Sequence, residues 1–482
     1  MSRRPVTGAL LAVCAALFVA SCSTTVKGVA VSVFDDPFKV AGMPAVDGPT
    51  GLRPDAKKAS RDVENGDGGE VDELGADSVS DIEDFWETTY AETFGKSFSP
   101  VEALISWDAG GYESQQFCEE DTYGLVNAGF CFLDDTIGWD RGELLPALRD
   151  NFGDIAVTNV LAHEYGHAIA HQAKINKKNT PTLVAEQQAD CFAGAYMRWV
   201  AEGNSARFTL STADGLNRLL AALISFRDPL LSEDKNAPGT NEHGSAFERI
   251  TAFQFGFTDG ASSCAAIDAK EIAQRRGDLP VELQQDQTGE WPVSEESVKA
   301  IVEALETLFS PADPPKLSLD AGSANDCHDA RPSPPVSYCP GSNAISVDMP
   351  KLAAMGAPSG RDENGGAVSG DNTAYSVLVS RYMLALQHQR AGVRLDNAEA
   401  ALRTACLTGV ATTKMTAAVT TSDGNTVALT AGDLDEAVSG LLTNGLAASD
   451  VNGDTVPSGF SRMDAFRTGV LGDEDRCFNR FP

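Results

Sequence analysis

Apolar residues in this chain recur in blocks with a helical period. Ile82, Phe85, Trp86, Tyr90 and Phe94 fall three or four positions apart, the spacing of one face of an α-helix. Ser80 ahead of them is a favourable N-cap, and Asp81, Glu83 and Asp84 supply first-turn acids. A helix is therefore predicted to open at Ser80. A second block, VLAHEYGHAIA from Val160 to Ala170, encloses its polar residues between apolar ones and predicts a largely buried helix entered near Asp154. Thr180-Pro181 then places an N-cap before a proline at the first helical position, and this helix should run to about Gly203. Cys118 and Cys131 fall in a region that reads as loop. Residues 23 to about 75 lack long apolar runs and are rich in Gly, Pro, Asp and Glu, which predicts a tether. The expected class is mainly α, an α-rich α+β fold.

Composition narrows the function. The 482 residues suffice for two or three domains, and 42% apolar content supports real cores. A formal net charge of -32 excludes nucleic acid as a partner, because the two would repel. At the N-terminus, Arg3 and Arg4 precede a short apolar stretch from Ala9 to Ala20, the layout of an export signal. Val19-Ala20-Ser21-Cys22 resembles a bacterial lipobox, which implies cleavage before Cys22, lipidation of that residue, and contact with a membrane through the lipid.

The chain repeats itself. SVSDIEDFW and PVSEESVKAI both open helices, and Ser106-Trp107-Asp108-Ala109-Gly110 answers Ser318-Leu319-Asp320-Ala321-Gly322. Arg249, Ala252, Phe253, Gly256 and Cys264 recur as Arg462, Ala465, Phe466, Gly469 and Cys477 at one constant offset. Where Val160–Tyr165 answers Val377–Tyr382, His163, Glu164 and His167 become Ser380, Arg381 and Leu384, and in the register anchored on Cys191 and Cys406, Glu186 and Asp190 become Ala401 and Ala405. The second copy keeps the scaffold and drops the polar residues.

Cysteine usage follows from both features. Cys14 leaves with the signal and Cys22 is lipidated, so eight cysteines remain. An even set in an exported chain reads as disulfides. Equivalent positions in two copies should pair alike, and short loops close at least entropic cost. The predicted bridges are Cys118–Cys131, Cys191–Cys264, Cys327–Cys339 and Cys406–Cys477.

The candidate chemistry sits in the second apolar block, where His163, Glu164 and His167 stand in the order H-E-x-x-H. Residues four apart share a helix face, so the two imidazoles can address one metal ion, with Glu164 beside them as a general base. Such polar groups inside an apolar helix are costly unless paired or bound to metal. A third protein ligand is required. Glu186 and Asp190 share a face of the next helix; they are either solvated acids or part of the site, and Ala185, Ala189, Cys191 and Phe192 around them weigh against solvation. His171 continues the histidine row, but one straight helix cannot wrap three ligands around an ion, so it reads as a packed or capping residue. Ala170 and Ala173 stand where the metzincin pattern needs glycine and histidine.

The runs VLAHEYGHAIA, AEQQADCFAGAYMRWV and HGSAFERITAFQFGFTDGASSC resemble the putative neutral zinc metallopeptidase family of bacteria, over roughly residues 80 to 270. The resemblance implies a mainly helical zincin fold, one Zn2+ per chain and a peptide or protein substrate. By analogy with thermolysin-like zincins, it implies Glu186 as third ligand, Asp190 as the residue that orients His163, and His243 as a stabiliser of the reaction's oxyanion. His243 also reads as a surface histidine in a Gly-Ser loop. Arg249 either pairs with Asp190 or braces the domain.

The expected organisation is a signal peptide over 1–21, a tether over 22–77, a zinc metallopeptidase domain over 78–275, a linker over 276–291, and over 292–482 a degenerate copy without the zinc site, for which the sequence names no protein partner. The alternative is a non-catalytic envelope lipoprotein on the same scaffold. The retained Glu164 argues against it, since a purely structural site needs no base.

Overall fold

The computed structural model describes residues 36–59, 61–112, 115–228, 243–280, 283, 289–358 and 368–482. The expected signal segment and Cys22 lie outside them. The described helices are α1 (Glu70–Phe94), α2 (Leu144–Phe152), α3 (Asp154–Ala173), α4 (Thr182–Ala201), α5 (Asp214–Ser225), α6 (Ala246–Asp259), α7 (Ala261–Cys264) and α8 (Ala269–Arg276). They continue with α9 (Glu295–Phe309), α10 (Met349–Met355), α11 (Asp371–His388), α12 (Ala398–Lys414), α13 (Asp433–Thr443), α14 (Gly459–Val470) and α15 (Glu474–Arg480). Helices dominate and the sheets are small, as expected of an α-rich α+β chain. No helix among the described residues is long and apolar enough to cross a membrane.

Helix α1 begins ten residues before the expected Ser80. Its N-cap is Gly69, Glu70, Asp72 and Glu73 fill the first turn, and Gly95 closes it in the left-handed conformation. The early turns look polar in sequence but are buried. Trp139 donates to Asp72 at 3.0 Å, Ser78 bonds Thr158 at 2.9 Å, and the buried Arg207 guanidinium pairs with Asp84 at 2.6 Å and Asp81 at 3.6 Å. Gly75 lets the Trp139 ring cross the helix, because a Cβ there would lie 2.7 Å from the ring. Paired acids thus form an interior helix face.

The segment expected as a tether is stitched onto the domain instead. Gly51–Leu52 pairs antiparallel with Phe208–Thr209, and Val63–Glu64 pairs parallel with Leu104 and Ile105. That last pairing puts Val63–Glu64 at one edge of a four-stranded sheet. Ala103–Trp107 and Thr136–Asp140 follow in parallel, and Ala128–Cys131 runs antiparallel at the far edge. The region read as loop therefore contributes a strand ending in Cys131. A three-stranded sheet farther along has the order Lys316–Ser318, Ala344–Val347, Val336–Cys339, with the first pair parallel and the second antiparallel. Helix α4 starts one residue later than expected, with Pro181 at the N-cap. Thr180 accepts from the Lys177 amide at 2.8 Å instead.

Two helix pairs pack at near backbone contact. On α4 and α6, Gly194 faces the Phe253 carbonyl and Gly256 faces the Cys191 carbonyl; on α12 and α14, Gly409 faces Phe466 and Gly469 faces Cys406. A side chain at any of the four would overlap the opposing backbone. The bridges Cys118–Cys131, Cys191–Cys264, Cys327–Cys339 and Cys406–Cys477 are all present, the pairing expected from sequence. Helix α6 also meets the later helices: Phe247 N donates to Asp435 at 3.1 Å, Gln254 donates to the Phe460 carbonyl at 3.1 Å, and the Phe257 and Phe460 rings lie 5.0 Å apart.

Candidate metal centre

Gly166, between the two histidines of α3, lies against Ala189 of α4, where a Cβ would come within 2.8 Å of the Ala189 backbone. That close crossing brings the histidine face of α3 onto the Glu186 face of α4. His163 Nε2 stands 3.1 Å from Glu186 Oε2, and His167 Nε2 stands 3.4 Å from Glu186 Oε1. The three ligand atoms all lie within 4.8 Å of one another. Two imidazole nitrogens and one carboxylate oxygen, converging from two helices, are a donor set suited to zinc. His171 is outside this group. It is half-exposed, 3.6 Å from Asp135, with its ring against Phe130, a packing position as expected.

Behind the donors lies a chain of supporting contacts. His163 Nδ1 bonds Asp190 Oδ1 at 2.8 Å, which directs Nε2 toward the cluster as the nitrogen that would ligate a metal once its proton is displaced. Arg249 holds Asp190 with two donors, Nε to Oδ2 at 2.9 Å and Nη2 to Oδ1 at 2.8 Å, and its third nitrogen reaches the Phe226 carbonyl at 2.7 Å. Burial works against charge on His163, but Asp190 and Glu186 outweigh it and raise the metal-free imidazole to about 10. Burial likewise opposes ionisation of Asp190, and Arg249 and His163 overcome it to hold its pKa low. Glu186 is depressed against its own burial by His163 and His167. The metal-free site therefore stores protons that an incoming cation must displace.

Glu164 shares a cavity with His163, His243 and Arg249. Burial raises its pKa, partly countered by His163 and His167, the direction suited to a group that accepts and then returns a proton. His243 also faces this cavity, with Nε2 3.7 Å from Glu186. Asp228, buried and overlooked in the sequence reading, accepts from the His243 and Gly244 amides at 2.9 and 2.7 Å and lies 3.3 Å from His243 Nδ1. Its hydrogen bond raises the His243 pKa against burial. No spacing rule links Asp228 to His243 in the chain; only folding joins them. Tyr165 points away from the cluster, its hydroxyl donating to Glu83 at 3.2 Å.

These features describe a helical protein with two histidines and a glutamate that could hold a metal ion beside a buried glutamate. A model of the putative neutral zinc metallopeptidase family matches residues 16–267, just over half of the chain, and the chain belongs to that family. Membership makes it a peptidase-type enzyme of the zinc class, acting on peptides or proteins. The match stops before α9. No curated protein and no solved structure matches the chain.

Proposed function

We propose that the protein is an exported, lipid-anchored zinc metallopeptidase whose active site is in its first half. The observation that carries this reading is the convergence of His163, His167 and Glu186 beside Glu164 in one cavity. His163, His167 and Glu186 are assigned as ligands of one zinc ion. When bound, zinc supplies Lewis acidity to the scissile carbonyl and to the attacking water. Glu164 takes the proton from that water, holds it in its buried setting, and delivers it to the departing amine. His243, aimed by Asp228, donates a hydrogen bond to the carbonyl oxygen as negative charge builds there. Asp190 and Arg249 fix the tautomer and angle of His163. Arg3, Arg4, the apolar run and the Val19-Ala20-Ser21-Cys22 sequence support export and lipidation at Cys22, which places the catalytic half outside the cytoplasm.

The second half is read as a degenerate copy. Supporting this are the matching strand order of the two sheets, the matching bridges and the matching glycine contacts. His388 also rests against Tyr338 as His171 rests against Phe130. At the position of Glu164, Arg381 is buried and bonds the Val336 carbonyl at 2.8 Å and Ser449 at 2.9 Å. Arg462, matching Arg249, donates to the Leu441, Leu442 and Val456 carbonyls instead of to an acid. The test is zinc content of the purified protein: one ion per chain, lost in His163→Ala and Glu186→Ala and kept in His171→Ala. Full zinc in Glu186→Ala with loss in His171→Ala would overturn the ligand assignment.

A further inference from the structure

The cavity that holds Glu164 has a volume of about 220 Å³, and away from the site residues its walls include Val126, Leu144, Val160, Leu223 and Phe226. Beside His163, Glu164, His243 and Arg249, the lining carries two amides, and of these Asn127 already accepts from the Ala128 amide at 2.9 Å. Asn159 is 4% exposed, lines the cavity, and its side-chain oxygen has no hydrogen-bond partner among the described residues. It sits one helical turn before His163, on the same face of α3. A buried amide oxygen without a partner is destabilising, and native interiors rarely keep one unless a ligand or solvent completes it.

We propose that this cavity is a side-chain subsite of the peptidase and that Asn159 is its specificity-determining residue, selecting a substrate side chain that ends in a carboxamide. This rests on the peptidase reading above. A carboxamide offers one acceptor and two donors, so it complements the Asn159 amide whichever way that side chain is turned. Its methylene stem suits walls of valine, leucine and phenylalanine. A carboxylate is disfavoured, because Glu164 lines the same cavity and the Arg249 guanidinium there is already taken up by Asp190 and the Phe226 carbonyl. An apolar side chain of equal size fits the walls but leaves Asn159 buried and unpaired, the situation in which a hydrogen-bonding pocket discriminates strongly.

The test uses the full mature protein, zinc-loaded, with a peptide library varied at the positions flanking the cleaved bond. Glutamine or asparagine should be favoured over leucine and methionine at one such position, roughly tenfold or more, the scale of one lost buried hydrogen bond. Asn159→Leu should reverse that ratio while retaining its zinc, and Asn159→Ala serves if the leucine variant does not fold. A second readout is peptide affinity by fluorescence anisotropy in the Glu164→Gln background, where the glutamine peptide should bind more tightly than its methionine counterpart only when Asn159 is present. Cleavage with the same glutamine-to-leucine ratio in wild type and Asn159 variants overturns this inference and leaves the peptidase reading intact. Asn159-dependent binding without any cleavage by wild type supports the subsite and overturns the peptidase reading. Peptide binding or cleavage that shows no preference overturns the inference.

Discussion

The contact between Gly256 and the Cys191 carbonyl connects the packing of two helices to the metal site. In Gly256→Ala the new methyl would lie 2.7 Å from the Cys191 carbonyl carbon and 2.8 Å from the Ala195 nitrogen, and closer still to the Cys191 oxygen. Ordinary contact needs about 3.5 Å or more, and the oxygen contact is the shortest, so α4 and α6 must part by at least about 1 Å and by up to about 2 Å. Overpacking of this kind costs about 1–3 kcal/mol, or a Tm loss of roughly 2–4 °C per kcal/mol in a domain of some 200 residues. Asp190 adjoins Cys191, and Arg249 lies two turns from Gly256 on α6. Both Asp190–Arg249 bonds, at 2.8 and 2.9 Å, span the seam that opens. Stretching them by about 1 Å takes them beyond hydrogen-bond range and frees Asp190, and with it His163. Zinc affinity should then fall by roughly 10-fold or more, as when a supporting contact of a metal ligand is lost. Gly469→Ala makes the same clash on α12 and α14, 2.7 Å from the Cys406 carbonyl carbon, where no ligand is assigned. It should lower Tm comparably and leave zinc affinity unchanged. Thermal melts and a chelator competition measure both. A Gly256→Ala protein with wild-type Tm and zinc affinity, or a Gly469→Ala protein that loses zinc as readily, would refute the reasoning.

Further outcomes follow from individual contacts. Asp190→Ala should weaken zinc by about 10- to 100-fold without removing a ligand; unchanged affinity in a chelator titration would detach Asp190 from the site. Burial pushes Asp433 up to about 8 and Glu436 up to about 9, so the folded state holds protons that the unfolded chain releases at lower pH. Their contribution is full below the ordinary carboxylate range and lost as pH rises through about 8 to 9. Tm should therefore fall between about pH 6 and pH 9, and Asp433→Asn with Glu436→Gln should flatten the profile; a profile of equal slope in the double variant would contradict the assignment. Cys22→Ala should move the protein from the membrane fraction to soluble or unprocessed forms, and unaltered membrane association would remove the lipid anchor from the account.

Much of the site can be read in the sequence because it is carried by helix periodicity. Glu164 stands beside His163, and His167, four residues on, shares its face; Glu186 and Asp190 do the same on α4. The bridges are legible because the recurring sequence pattern predicts that cysteines at answering positions pair alike. The start of α1 was not, because Asp72, Asp77 and Asp81 look solvent-facing until Arg207 and Trp139 arrive from distant segments to pair with them. Residues 39–64 read as a tether for a similar reason: their short pairings with Phe208–Thr209 and with Leu104 and Ile105 leave no local pattern. Asp228 and Asn159 belong to the same class. Each acquires its role from a cavity or a loop partner that only the folded chain assembles.

The central claim is that Glu164 moves the proton in a peptide cleavage that depends on zinc held by His163, His167 and Glu186. The direct measurement is cleavage of a diverse peptide library by mature wild type and by Glu164→Gln, with zinc content determined on the same samples. The account predicts one zinc per chain in both, cleavage by wild type, and a rate in Glu164→Gln lower by roughly 100-fold or more, since the amide cannot accept the proton. Equal rates in two fully zinc-loaded proteins would contradict it.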